Sequence, residues 1–320
     1  MLRKILFILI AISFLVILVY KPAAISEPGA SPTDPAREDL ARIAYPSQDA
    51  IPWTPRFIRP QDTLESLFGK DWPDIARFNR VDRRHVYPGM TIKVPRNMAQ
   101  ARDYCPLPAE YEPAKRHEKY ILVSLTEQWL GAYEYGKLKF SMPAATGMEG
   151  HNTPTGLFQV DARDKDHASS LYKTEDQQEQ YPMDNAIRFH VGPDNVSYWI
   201  HARDLPGKPA SHGCIGVFDE AMQHREYGIP ANPVLLDSEK LYKWAVGDLA
   251  PVCKDDENSG DEDDNTADND ETMGEETVDT SDMPRDAGGP ELLAGGPIVE
   301  VVGENPHFKS PGFFSFLSRQ

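Results

Sequence analysis

From Lys119 to His201 the chain is written in short runs of alternating β-branched, aromatic and aliphatic residues. K-Y-I-L-V-S-L, Q-W-L-G-A-Y-E-Y-G, L-K-F-S-M-P-A-A-T-G, G-L-F-Q-V, I-R-F-H-V and S-Y-W-I-H succeed one another with turns between them. A period of two bounded by Gly and Pro is the pattern of half-buried strands, and it leaves no room for a helical bundle. Helical signals come only later. Asp219 is placed to cap E-A-M-Q-H-R-E-Y with Gly228 just past its end, and Asp237 or Ser238 starts a last helix through Trp244. Residues 118–253 are therefore expected to form a mainly β domain with its helices at the end.

A second texture precedes it. R-F-I-R-P-Q-D-T-L-E-S-L-F opens as a short strand, after which Asp62 or Thr63 caps a helix bearing Leu64, Leu67 and Phe68 on one face. A short helix comes next around residues 72–79, then V-Y-P-G-M-T-I-K-V-P gives a Pro-Gly turn and an alternating strand. Strand, helix, helix, strand over 51–97 predicts a compact βααβ unit. Residues 26–50 and 98–117, rich in Pro and small polar residues, read as a linker and a Pro-punctuated joint.

The two ends carry different physics. Arg3 and Lys4 precede sixteen almost unbroken apolar residues, Ile5 to Tyr20, so residues 1–25 are expected to be a signal peptide or an uncleaved signal anchor in the inner membrane. The chain beyond residue 25 is then exported to the periplasm or cell envelope. The net charge of −17 is lopsided: residues 254–286 carry −13 of it, so the remainder is nearly balanced. D-D-E-N-S-G-D-E-D-D-N-T-A-D-N-D-E has no apolar period and cannot offset its ordering entropy, so 254–320 is read as an acidic, largely disordered tail. No basic face is visible, which disfavours nucleic acid as a partner.

The chemistry gathers at A-S-H-G-C-I-G-V, residues 210–217. A thiol acts as a nucleophile only as thiolate, so a reactive Cys214 needs a base, and His is the natural one near neutral pH. His212, two residues away, is badly placed for proton transfer. His201, thirteen residues upstream at the end of a strand, can return to the same place through the short loop A-R-D-L-P-G-K-P-A. Gly213 permits the backbone that would present Cys214 and aim N–H groups at an oxyanion. On spacing alone three readings stay open: a Cys-His nucleophilic site, a zinc site, and a buried Cys in a chance turn. Zinc is the poorer fit, because only one Cys stands near the two His and no fourth ligand is obvious. Trp129 and Trp199 read as core or rim aromatics, and His151 and His190 as surface or core histidines.

Two resemblances sharpen this. D-T-L at 62–64, Asn79, Y-P-G-M at 87–90 and I-K-V-P at 92–95 resemble a LysM module, although Gln61 stands where that family often has Gly. His201 through S-H-G-C, together with the strand pair at 119–137, T-G at 146–147, T-P-T-G at 153–156 and Y-P-M at 181–183, resembles the L,D-transpeptidase (YkuD-type) catalytic domain over about 118–250. The resemblance implies an L,D-transpeptidase-like β-sandwich with short helices beside a small α+β LysM domain that holds peptidoglycan glycan. It implies that Cys214 attacks the diaminopimelate carbonyl of a tetrapeptide stem and releases D-Ala. The thioester passes to an amine acceptor, with His201 as base and Ser211, His212 and Gly213 orienting the site and the oxyanion. No cofactor and no metal are implied. One departure stands out: the family usually has Arg or Asn two residues after the Cys, and here it is Gly216, so Arg203 or Arg188 is a candidate to supply the missing charge. The alternatives are an L,D-carboxypeptidase with water as acceptor and an inactive wall-binding protein. For the remaining cysteines, Cys105 and Cys253 bracket the catalytic region, and a bridge between them is the expectation in an oxidising compartment.

Overall fold

A computed structural model describes residues 39–102, 104–174, 178–252 and 289–307. The expected signal segment and Cys253 lie outside the described residues. Among those residues, no helix is long and apolar enough to cross a membrane.

Strand β1 (Trp53–Phe57) leads to helices α1 (Leu64–Phe68) and α2 (Trp72–Asn79) and returns as β2 (Thr91–Pro95). β1 and β2 pair antiparallel with Phe57 opposite Thr91. Thr63 caps α1 in a reciprocal box with Ser66, which satisfies two otherwise orphaned amides. The apolar faces meet at Leu64, Trp72, Ile75, Ala76, Met90 and Ile92, all buried. Their core does not close on itself. It continues into Ala145, Leu205, Phe218 and Leu235, and into Leu40, Ile43 and Tyr45. Residues 39–50, read from sequence as the end of a linker, thus form two 3-10 turns, Leu40–Arg42 and Pro46–Ala50, whose apolar side chains belong to a shared core. The Pro and small residues that suggest a spacer start and cap these turns, with Pro46 at the first position of the second one.

Four arginines fasten the βααβ unit to the rest of the same compact body. Arg77 makes a bidentate pair with Asp237 at 2.7 and 2.6 Å, and Arg83 another with Glu220 at 2.8 and 2.7 Å. Arg84 meets Asp204 at 2.9 Å. Arg80, 1% exposed, reaches the Glu127 carbonyl, the Phe78 carbonyl and the Tyr104 hydroxyl, with its Cζ 3.7 Å from the Tyr45 ring centroid. Helix α3 (Met98–Arg102) packs beside α2 and β2 before the chain enters the β region.

That region holds β3 (Tyr120–Ser124), β4 (Trp129–Glu134), β5 (Lys137–Ala145), β6 (Gly156–Gln159), β7 (Ala162–Asp164), β8 (Ala168–Lys173), β9 (Gln180–Pro182), β10 (Ala186–Val191), β11 (Ser197–Arg203) and β12 (Ile215–Phe218). Helices α4 (Glu220–Tyr227) and α5 (Asp237–Val246) come next, and β13 (Glu291–Leu292) and β14 (Ile298–Val302) complete the fold. Asp219 caps α4 by accepting from Met222 N, and Gly228 ends it with φ +70°. Ten strands form one mainly antiparallel sheet in the order β13-β7-β10-β11-β12-β5-β4-β3-β14-β6. Where the sequence suggests a sandwich, hydrogen bonding runs through a single sheet. The reason is β5: long enough to pair with β4 along most of its length, it gives its last residues, Ala144 and Ala145, to β12.

The stretch read as an acidic tail divides in two. Residues 253–288, with the acidic run, lie outside the described residues. Residues 289–307 return to the body. β14 inserts between β3, which it meets in parallel, and β6, which it meets antiparallel. Val299 and Val301 enter the core, while Glu300 accepts hydrogen bonds from Tyr111 and Tyr120 at 2.7 Å each. The acidic run is thus an insertion whose flanks meet: Val252 N donates to Leu292 O at 2.8 Å. Cys105 is a free thiol among the described residues and receives a hydrogen bond from Ser141 Oγ at 3.1 Å.

Candidate active site

Two adjacent parallel strands bring the predicted pair together. β11 and β12 run in register with Ile200 beside Ile215 and His201 beside Gly216. Alternation sends Ile200, Ile215 and Val217 into the core. It turns Trp199, His201, Arg203 and Cys214 to the other face, where all four line a cavity of about 1010 Å³. His201 and Cys214 are diagonal neighbours on that face, one alternate step apart. His201, expected upstream on a strand, and Cys214 thus line the same cavity, and His212 lines it as well. His212 is exposed, stacked on Tyr172 with ring centroids 4.0 Å apart and nearly parallel planes.

The turn before Cys214 is built from separate pieces of sequence. Ser211 Oγ donates to Cys214 O at 2.5 Å and accepts from Gly213 N at 3.1 Å. Thr153 Oγ1 donates to Gly213 O at 2.9 Å and accepts from Gly147 N at 2.9 Å. Ser211 N in turn donates to Thr146 O at 3.0 Å. Thus T-G at 146–147 and T-P at 153–154 act as braces for the S-H-G-C turn. Asn305, beyond β14, adds a further brace by donating to Gly147 O at 2.8 Å. Gly213 sits at φ +118°, and a Cβ there would come within 2.7 Å of Tyr198; no other residue fits. Its N–H is turned onto Ser211 Oγ, so in this arrangement the amide expected to face an oxyanion braces the turn instead.

His201 is 2% exposed, and its Nδ1 lies 2.6 Å from the Ala202 carbonyl. Only an N–H can serve that contact, which assigns the proton to Nδ1 and leaves the Nε2 lone pair to accept. Burial first, and then the Arg203 charge, hold the imidazole neutral by pulling its pKa down to about 3. Burial pushes the Cys214 thiol up, opposed by the Trp199 backbone hydrogen bond and by Arg203. Both directions favour a neutral thiol and a neutral imidazole over a thiolate–imidazolium pair. With the thiol pKa raised, the thiolate fraction at pH 7 is below that of an ordinary cysteine, whose pKa is about 8.5. Alkylation of Cys214 by iodoacetamide should climb about tenfold per pH unit from pH 7 to 9 with no plateau in between. A plateau near pH 5–6 would mean an ion pair and sink this assignment.

Several lining residues carry no signal in the sequence. Tyr172, on the hairpin of β8 and β9, stacks on His212, which also meets His151 in a near-perpendicular ring contact with centroids 4.6 Å apart. His167 lies 4.4 Å from Trp199. Tyr181 also lines the cavity, and its hydroxyl is buried. A lone exposed aromatic in an L-Y-K strand is what could have marked Tyr172. Trp199 and Trp129 are buried, at 4% and 2%. Of the two arginines named for Gly216, Arg188 bonds Asp161 at 2.8 Å, and Arg203 lies across Gly216 itself. The cluster Asp82, His85 and Asp204 has metal-ligand side chains close together, but its oxygens are occupied by Leu205 N, His85, Gln223, Tyr227 and Arg84.

Residues 118–224 match the model of the L,D-transpeptidase catalytic domain, YkuD. Among solved structures, the chain is similar to an L,D-transpeptidase (Yku) from Stackebrandtia nassauensis, at 18% identity over 75% of this chain and 69% of that one, TM-score 0.35. It is also similar to L,D-transpeptidase 1 of Mycobacterium tuberculosis, at 14% identity over 58% of this chain and 62% of that one, TM-score 0.30. A third similarity is to the L,D-transpeptidase (residues 123–326) from Xylanimonas cellulosilytica, at 24% identity over 51% and 79%, TM-score 0.32. Among curated proteins, no sequence matches the chain.

Proposed function

We propose that this protein is an exported peptidoglycan L,D-transpeptidase working through Cys214 and His201. The observation that carries the reading is their arrangement: on one face of two parallel strands, in one cavity, with His201 Nδ1 spent on a carbonyl and Nε2 left to accept a proton. The match of 118–224 to the L,D-transpeptidase catalytic domain supports the substrate class, a peptidoglycan stem peptide. Cys214 Sγ attacks the diaminopimelate carbonyl carbon of a tetrapeptide stem while its proton passes to His201 Nε2. The tetrahedral intermediate collapses to a thioester, and the D-Ala nitrogen leaves with the proton from His201. An amine acceptor then attacks the thioester, gives its proton to the imidazole, and restores the thiol. Residues 51–97 would hold glycan as a LysM-type unit, in the order strand, helix, helix, strand. Firmly docked by its arginines, that unit would act as a fixed part of the enzyme and not as a tethered anchor.

The test is acylation. The full chain, incubated with disaccharide-tetrapeptide, should show an intact-mass adduct and release D-Ala. Cys214→Ala should give neither, and His201→Gln should cut the acylation rate by about 10²–10⁴. Dimeric product names an amine acceptor, and tripeptide names water, making the enzyme an L,D-carboxypeptidase. A folded chain that binds peptidoglycan and forms no adduct would be a wall-binding protein, and the proposal would fall.

A further inference from the structure

We infer that Arg203 is an anion subsite of this cavity, placed to receive a carboxylate of the acyl-donor peptide beside Cys214; the peptide's identity rests on the transpeptidase reading. The side chain is held in place with care. Its stem crosses Gly216 so closely that a Cβ there would lie 2.5 Å from Arg203 Cβ and 2.4 Å from its Cδ, so only glycine at 216 allows the crossing. Its Nη2 donates to Ala210 O at 2.9 Å, and its Cζ stands 5.4 Å from the Tyr181 ring centroid. These contacts aim the guanidinium but do not neutralise it.

No carboxylate pairs with Arg203 among the described residues. Asp204, next in the chain, serves Arg84, Gln223 and Tyr227. The other guanidinium of the lining, that of Arg188, is taken by Asp161. Arg203 Nε is buried without a hydrogen-bond partner. A shielded cation with an orphaned donor costs free energy unless a partner arrives, and a planar fork of N–H groups fits a carboxylate best. Among the described residues no carboxylate meets it, so a substrate carboxylate is the partner it is placed to receive. Arg203 stands one alternate step along β11 from His201, on the same face, and lines the cavity that His201 and Cys214 also line.

Alkylation of Cys214 reads this without turnover. The same thiolate attacks iodoacetate and iodoacetamide, displacing iodide from each, so any change in the thiol pKa cancels from their rate ratio, and what remains is the pull on the reagent carboxylate. With the full chain, and the Cys214 peptide quantified by mass spectrometry, Arg203→Gln should lower the iodoacetate-to-iodoacetamide ratio about tenfold or more. Arg203→Lys, which keeps the charge and loses the fork, should lower it only a few-fold. N-acetyl-D-alanine should protect wild-type Cys214 from iodoacetamide at concentrations where its amide does not, a measurement that needs no variant. A ratio within twofold of wild type in Arg203→Gln, or equal protection by acid and amide, overturns the subsite. With tetrapeptide as donor, Arg203→Gln should raise KM more than it lowers kcat. Absence of any acylation in wild type, with the ratio still dependent on Arg203, would overturn the transpeptidase reading and leave the anion subsite standing.

Discussion

A chain ended at residue 253, just where the acidic run begins, should fail to fold. It would lose β14, which pairs with β3 on one side and β6 on the other, and with it Val299 and Val301 from the core. Two strand edges would open inside the sheet, and the buried Tyr120 hydroxyl would lose its Glu300 partner. Asn305, which braces Gly147 under the catalytic turn, would go too. The opposite deletion should be harmless. Val252 and Leu292 are hydrogen-bonded neighbours, so replacing 255–286 by a short Gly/Ser turn closes a smaller loop and should add about 1–2 kcal/mol by closure entropy. Expression of both forms and their thermal melts decide it. If the 253-ended chain melts cooperatively at the full-chain temperature, the account of β14 is wrong.

The second large effect is expected at Arg80. Its guanidinium is buried between Tyr45, Tyr104 and Trp129 and gives hydrogen bonds to two carbonyls, a hydroxyl and, at 3.3 Å, the Glu127 carboxylate. Arg80→Ala leaves that carboxylate and both carbonyls facing a hole, the situation in which a broken buried pair costs about 3–5 kcal/mol. For a body of this size the melting temperature should fall by about 10 °C. Glu127 also accepts from Ser47 N and Oγ, so the loosening should spread to residues 39–50 and show there first as faster amide exchange. Arg102, 57% exposed and paired with Asp71 at 3.3 Å, is the control: its alanine variant should cost no more than about 0.5 kcal/mol. Equal losses at the two positions would refute the difference.

The parts of this molecule legible in its sequence are those whose signal is local. Period-two runs mark β3, β4, β5, β10 and β11, and Asp219 with Gly228 frames α4, because strand alternation and helix caps are short-range physics. Cys214 and His201 could be singled out as candidates because a reactive thiol would restrict what its neighbours are. The features that escape depend on partners far along the chain. I-V-E-V-V at 298–302 has the alternation of a strand, but it stands beyond the most acidic stretch and reads as part of it. Leu40, Ile43 and Tyr45 look like scattered apolar residues in a spacer until the βααβ unit covers them. The roles of Arg77, Arg80, Arg83 and Arg84 carry no local signal, since nothing nearby announces Asp237, Glu127, Glu220 or Asp204. Arg203 is the sharpest instance: Gly216 looks like a missing arginine, whereas the two residues are halves of one crossing on adjacent strands.

The late position of β14 sets a timetable for the growing chain. β3 and β6 are complete by residue 159, but the strand that joins them is not made until residue 302. At about 5–20 residues per second, a synthesis rate typical of chains, that gap is roughly 10–30 s. Throughout it the nascent sheet has two unsatisfied edges, and the braces of the catalytic turn are incomplete. Such a chain cannot reach its final state ahead of its own completion. The loop around Cys214 therefore gains its final surroundings only after the last strand has been made.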